Sequence, residues 1–202
     1  MDQTNIAMTE QIVALEDKIQ RESRRKVVEK YGKGPYQVKV DVELPDATTP
    51  LSSFKIKMAA IAIAKMPHSI HLFLEQVDHG LWNGNVILCN SPFILQAIAG
   101  GDGSVGADGL VPSSPKIEAF ENSGLDALIF REHHESLPHD QWTVGFSGMG
   151  PSFYINKVDS DHKDPCFGTV TEGKDVLQEV FLLPTIDKDI GFKLAPPVRI
   201  IK

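Results

Sequence analysis

The chain has 202 residues, 42% of them hydrophobic, and a formal net charge of −7, enough to bury one core without staples. That charge lacks the dominant basic surface needed to bind a phosphate backbone, which excludes nucleic acid as an expected partner. No run approaches 18 apolar residues, and the start, MDQTNIAMTEQ, lacks the charged-then-apolar pattern of a secretory signal, so no membrane segment is expected in this chain.

From Thr9 to Tyr31 the sequence is charged, free of Gly and Pro and rich in helix formers, and Gly32-Lys33-Gly34-Pro35 stops it. This predicts a helix within an N-terminal extension of residues 1–34, ahead of a domain of residues 35–202. Met8, Ile12, Leu15 and Ile19 recur at 4-3-4 spacing, but Glu22 and Lys26 take the next heptad positions. The seam is therefore shorter than the three to four heptads, roughly, of a stable coiled coil. The helix either leans on the domain or pairs two copies into a homodimer.

Tyr36 to Leu44 alternates apolar and polar residues without a fault, and Phe54, Ile56 and Met58 resume the alternation after a turn-rich stretch. These segments predict a hairpin of two strands, each with one buried face. Pro67 opens PHSIHLFLEQVDHG, where Ile70, Phe73, Leu74 and Val77 share one helical face and Gly80 closes the element. Short apolar runs at 86–89, 93–98, 127–130, 142–146 and 153–155 are bounded by Gly, Pro, Asn or Ser and predict further strands. A second helix is predicted around Lys174–Phe181, and Val198 and Ile200 alternate with Arg199 in a closing strand. The domain is mainly β, a barrel or sandwich with helices that could plug its ends.

The stretch GGDGSVG holds a G-x-G-x-x-G match at Gly101, Gly103 and Gly106. A dinucleotide site would need a following helix, which Pro112 and Pro115 oppose, so the stretch reads as a flexible loop and no cofactor is implied. His133, His134 and His139, with Glu132 or Asp140, could be imagined as metal ligands. Adjacent histidines on a strand point apart, however, and Pro138 marks a turn, so a solvated loop is expected. Asp159, Asp161 and Asp164 lack the central Gly and terminal Glu of a calcium loop and read as a hydrated surface turn. No G-x-S-x-G elbow is present, no metal is expected, and Trp82 and Trp142 are expected to fill core. Cys89 and Cys166 are too few for a disulfide framework, and there is no N-x-S/T sequon. A reducing, cytoplasmic compartment is favoured, with a secretory or membrane-anchored origin left open if the chain is a fragment.

Three stretches together resemble the cyclophilin family of peptidyl-prolyl cis-trans isomerases. MPHSIHLFLEQVDHGLWNG is similar to the family's Pro-to-Gly helix entry, FILQAIAGGDG to F-M-x-Q-G-G-D, and GPSFYINKVDSDHKDPCFGTVTEGKDVL to G-S-x-F-F-I followed by F-G-K-V-x-E-G-M-D-V-V. The resemblance runs from about Tyr36 to Lys202. It implies a closed antiparallel eight-stranded barrel with two capping helices, to which the N-terminal helix is an addition. It also implies proline-containing peptides as partners.

An X-Pro bond carries a rotation barrier of about 20 kcal/mol from amide resonance. In cyclophilins an arginine following Phe-His at a strand end donates to the prolyl nitrogen or holds the carbonyl at the twisted transition state. An apolar pocket takes the proline ring and a glutamine positions the backbone. The resemblance puts Ile87 and Leu88 at the Phe-His positions and Cys89 at the arginine, and no arginine lies anywhere from Trp82 to Lys116. It assigns the peptide-binding pocket to Phe93, Ile94, Gln96, Phe153 and Tyr154. Asp164 falls where the family has a histidine, and both KVDSDHKD and VGFSGMG are shorter than their counterparts. No Lys, Arg or His stands within five residues of Cys89, so a small buried hydrophobe is expected there rather than a reactive thiolate. A Cys89–Cys166 disulfide would require the two strands to approach closely. The expectation is a peptide-binding cyclophilin-like domain with weak or lost isomerase activity. The alternatives are an active isomerase drawing on a distant donor such as Arg131, and an interaction domain working through its N-terminal helix.

Overall fold

A computed structural model describes residues 3–45, 51–100, 115–186 and 192–202. The elements in order are α1 (Gln3–Tyr31), β1 (Tyr36–Glu43), β2 (Leu51–Met58), α2 (Ala60–Lys65), α3 (Pro67–Asp78), β3 (Val86–Asn90), β4 (Ile94–Ile98), α4 (Pro115–Ser123), β5 (Thr143–Phe146), β6 (Phe153–Asn156), β7 (Cys166–Glu172), α5 (Lys174–Leu182), β8 (Thr185–Ile186) and β9 (Lys193–Ile200). The strands run β1-β2-β7-β5-β6-β4-β3-β9, and a β1–β9 pairing closes this ring of eight, every neighbour antiparallel. β8 pairs with β9 alone and lies outside the ring.

The alternation in β1 turns Tyr36, Val38, Val40 and Val42 into the barrel. They are joined there by Phe54, Ile56, Leu95, Val144, Phe146, Phe167 and Val198, all within one buried cluster. α3 sends Phe73 into the same interior, where its ring meets Phe146, Phe153 and Phe167 at centroid distances of 6.2, 5.6 and 4.9 Å. Phe146 ends β5 and Phe153 begins β6, so α3 covers that end of the barrel. α5 covers the other, stacking Phe181 on Trp142 just before β5 and burying Leu177 and Val180 completely.

α1 is held along its second half. Val27 is fully buried in the barrel domain's core cluster, Lys30 reaches Glu75 and Asp78 of α3 at 3.0 and 2.7 Å, and Ser23 Oγ lies 3.2 Å from His68 Nδ1. The first half projects, with Met8, Ile12 and Leu15 each more than half exposed.

Several expectations need correction. The run 127–130 forms no strand: Leu128 N donates to Met149 O at 2.8 Å as an isolated contact, and Ile129 is exposed. Pro115, read as opposing a helix, instead opens α4, where the missing N–H falls in the first turn and needs no partner. Trp82 does fill core, but Trp142 is only half-buried, at positive φ, with Lys174 over its ring. Gly101, Gly103 and Gly106 lie outside the described residues. No helix of the described residues is long and apolar enough to cross a membrane.

Candidate functional site

One row of residues crosses the outer face of the barrel. Cys89 on β3 pairs with Gln96 on β4, Gln96 with Tyr154 on β6, Tyr154 with Gly145 on β5, and Gly145 with Cys166 on β7. The period of two decides the face: Leu95 and Phe153 turn inward, so Gln96 and Tyr154 turn outward. Ile94, opposite Asn156, is half-buried on the same outer face. Cys89 and Cys166 lie four strands apart in a ring of eight, on opposite sides of the barrel, and both are free thiols.

The assigned pocket residues divide three ways. Ile94, Gln96 and Tyr154 share the outer face with Cys89. Phe93 sits in the β3–β4 turn, 61% exposed, and lines a shallow cavity of about 480 Å³ with Asp159 to His162. Phe153 is a correction. Its ring turns inward, wedged edge-on against Trp82 and Phe73 at 4.7 and 5.6 Å, and packs in the barrel interior, whereas Tyr154, equally buried at 2% exposed, lies on the outer side.

Cys89 is half-buried, and burial pushes its thiol pKa up. The chain folds a cation toward it that its sequence neighbours do not supply: Lys157, just past β6, opposes that rise. The ammonium of Lys157 is already engaged, donating to Asn90 Oδ1 and Ser91 O at 2.9 Å each and lying 4.7 Å from the Phe181 ring centre. Burial wins, and Cys89 stays a neutral thiol, a weak donor.

Tyr154 carries a hydroxyl that needs a partner where it is buried. The structure supplies His139, whose Nδ1 lies 3.0 Å from Tyr154 Oη and whose ring lies nearly parallel to the tyrosine at a centroid distance of 6.3 Å. HHESLPH is a loop with His133, Glu135, Ser136 and Pro138 exposed, but its last residue, His139, is buried, as is Glu132 just before it, each 2% exposed. A backbone bridge from His139 to Ser160, and Cys166 Sγ against Pro138 O at 3.7 Å, lay residues 138 and 139 across the outer row. His139 Nε2 and Ser160 Oγ are both buried without a hydrogen-bond partner. His139 is a site residue the sequence reading set aside, because only the fold carries it to Tyr154.

Asp164, in the family's histidine position, faces Arg131 at 3.5 Å. Both charges act on Tyr154, Asp164 raising its pKa and Arg131 lowering it, after the larger upward push of burial. Among the described residues no group of His, Cys, Asp or Glu is arranged to hold a metal ion.

No protein-family model matches the sequence, and no curated protein matches it. Solved structures do. One is a Cryptosporidium parvum cyclophilin type peptidyl-prolyl cis-trans isomerase, similar at a TM-score of 0.58 and 16% identity over 83% of this chain and 96% of that one. A second structure of that isomerase, in the presence of the dipeptide Ala-Pro, matches at a TM-score of 0.57 and 15% identity over 82% of this chain and 96% of that one. With the closed eight-stranded ring and its helix-covered ends, these matches show that the chain has the cyclophilin fold.

Proposed function

We propose that this chain is a cyclophilin-like domain that binds proline-containing segments on the outer row of β3, β4 and β6 while its isomerase activity is weak or lost. The observation that carries this reading is Cys89. It occupies the place in the row, beside Gln96 and Tyr154, where the resemblance calls for a guanidinium. The isomerisation barrier is lowered by a strong donor fixed where charge collects as amide resonance breaks. A neutral half-buried thiol is a poor donor, and Lys157 is committed elsewhere. The Ala-Pro dipeptide in the second matched structure supports proline peptides as the ligand class. Ile94 and Gln96, both half-buried on the outer face, supply part of the contact surface.

A second reading rests on Arg131. Its guanidinium acts electrostatically on Tyr154 and is tied to Asp164 by a single 3.5 Å contact, so it could serve as donor from the side of β5 and β7. One assay on X-Pro peptides separates the two. The unmodified protein is expected to be silent or nearly so, and Cys89→Arg to gain about a hundredfold, the order of effect of one well-placed donor. Circular dichroism on Cys89→Arg checks that the fold survives an arginine placed near Lys157. Turnover in the unmodified protein at the level of an ordinary cyclophilin overturns the leading reading, and loss of that turnover in Arg131→Ala would move the donor to Arg131.

A further inference from the structure

A chain of contacts joins α1 to the outer row through residues 129–132. On the α1 side, Gln20 Nε2 donates to Glu132 Oε1 at 3.0 Å, and His68 Nδ1 faces Ser23 Oγ at 3.2 Å. Glu132 also accepts from His68 N at 3.1 Å and from Ser69 N and Oγ at 2.6 and 2.7 Å, which ties it to the first turn of α3. His68 Nε2 accepts from Ile129 N at 3.0 Å, and its ring stacks on Phe130 at a centroid distance of 5.5 Å. Arg131 stands between these two fixed points. Its side chain serves the other end of the chain of contacts, facing Asp164 at 3.5 Å, passing beside Gly148 and acting electrostatically on Tyr154.

Two features make this connection a coupling rather than fixed scaffolding. The first is the single proton of neutral His68. With Ser23 Oγ accepting from Nδ1, Nε2 is left bare for Ile129 N. Without Ser23 the proton is free to sit on Nε2 and oppose that N–H, since the state of each ring nitrogen is set by the bond the other makes. The second is the seat of α1. Val27 is the one apolar side chain that the described residues of α1 bury completely, and much of the rest of the seat is polar, with Lys30 Nζ and Tyr31 Oη on Glu75. A cleft of about 450 Å³, lined by Lys26, Glu29 and Lys30 of α1 and by His71 and Glu75 of α3, opens between the two helices. Exposed ion pairs contribute little, and a small polar seat of this kind favours motion of one part against the other.

We propose that the seating of α1 and the placing of Arg131 at the outer row are one coupled equilibrium. Seated, α1 holds His68 and Glu132, and through them residues 129–132, so that Arg131 faces Asp164 and Tyr154. Released, it frees that segment and lets the guanidinium leave the row. Such coupling is reciprocal, so a change at Arg131 also loosens α1. The device acts on the position of Arg131 and holds whether or not the row binds proline segments.

The test is amide hydrogen exchange and NMR on the whole chain. Val27→Asp sets a charge in the seat of α1, whereas Gln20→Ala combined with Ser23→Ala leaves Val27 in place and cuts the relay alone. In both, the Ile129 amide is expected to exchange about fivefold faster or more, the order of one lost hydrogen bond. The Arg131 Nε–H and Tyr154 amide resonances should shift in both, while the Leu95 and Ile155 amides keep their protection. Asp164→Asn removes the partner of Arg131 and is expected to speed exchange of the Val27 and Val28 amides about threefold. A helix that served as scaffold alone would not sense a substitution on the far side of residues 129–132. Should Val27→Asp unfold the barrel, read as lost protection at Leu95 and Ile155, the other two variants decide. Unchanged Arg131 and Tyr154 signals in the relay variant, or α1 amides indifferent to Asp164→Asn, overturn the proposal, as does an effect that stops at Ile129.

Discussion

His68, the second residue of α3, is expected to make the protein lose stability as pH falls below neutrality. Its ring is 6% exposed. Nε2 accepts from Ile129 N at 3.0 Å, which assigns the proton to Nδ1, facing Ser23 Oγ at 3.2 Å. An imidazolium would set a second N–H against that of Ile129. Burial, followed by the charge of His71, holds the pKa of His68 down from 6.5 to about 4. Between those values the unfolded chain takes up a proton that the folded chain refuses. Stability therefore falls with pH through this window and is unaffected well above it. The full window amounts to at most about 3 kcal/mol, and about 2 kcal/mol once solvent screening is allowed for.

Glu132 works in the opposite sense. Burial pushes its carboxyl pKa up against the donors that surround it, so its contribution grows as pH falls, and the raw pH profile mixes the two. The difference between the protein and His68→Asn isolates the histidine, since the asparagine amide can still donate to Ser23 Oγ. Urea unfolding followed by tryptophan fluorescence should show His68→Asn less stable by about 1–2 kcal/mol near neutrality, where the Ile129 N–H loses its acceptor. That gap should narrow by about 2 kcal/mol on lowering the pH to about 4.5. Parallel pH profiles for the two proteins would refute the assignment of a buried neutral His68.

Gly145 tests the packing beneath the outer row. A Cβ there would lie 2.5 Å from Pro165 O and 2.8 Å from Tyr154 Oη, so Gly145→Ala should cost about 2 kcal/mol or more and lower the melting temperature; an unchanged melting temperature would show that β5 and β7 are not held this closely. The projecting half of α1 tests the interaction reading, because a helix of that length without tertiary contacts is marginal in water and Met8, Ile12 and Leu15 stand exposed. Pairing of two copies predicts a concentration-dependent dimer in sedimentation that Leu15→Glu abolishes without unfolding the domain. A monomer at every concentration removes the homodimer.

The barrel was legible where one face of a segment is dry and the other wet. β1 shows this most plainly, its valines alternating with Gln37, Lys39 and Asp41, and α3 shows it at helical period. The misread segments carry no such contrast. Residues 127–130 look like a strand but form a loop, because a single apolar run cannot specify a ladder partner. Pro115 was read for what it breaks rather than for the first turn it can begin. In the site, the outward placing of Ile94, Gln96 and Tyr154 follows from alternation within strands. The same alternation turns Phe153 the other way from its neighbour Tyr154.

The sequence by itself determined the strand and helix periods, the absence of an arginine around Cys89, and the resemblance that gave that absence meaning, since all of these are local in the chain. Tertiary structure alone decided which distant groups meet. Lys157 comes to Cys89, His139 covers Tyr154, and Glu132 accepts from the first free N–H groups of α3 at His68 and Ser69. Such contacts depend on register and burial across segments far apart in sequence. Their energies come from desolvation and hydrogen bonding in the closed barrel, and no local pattern encodes that environment.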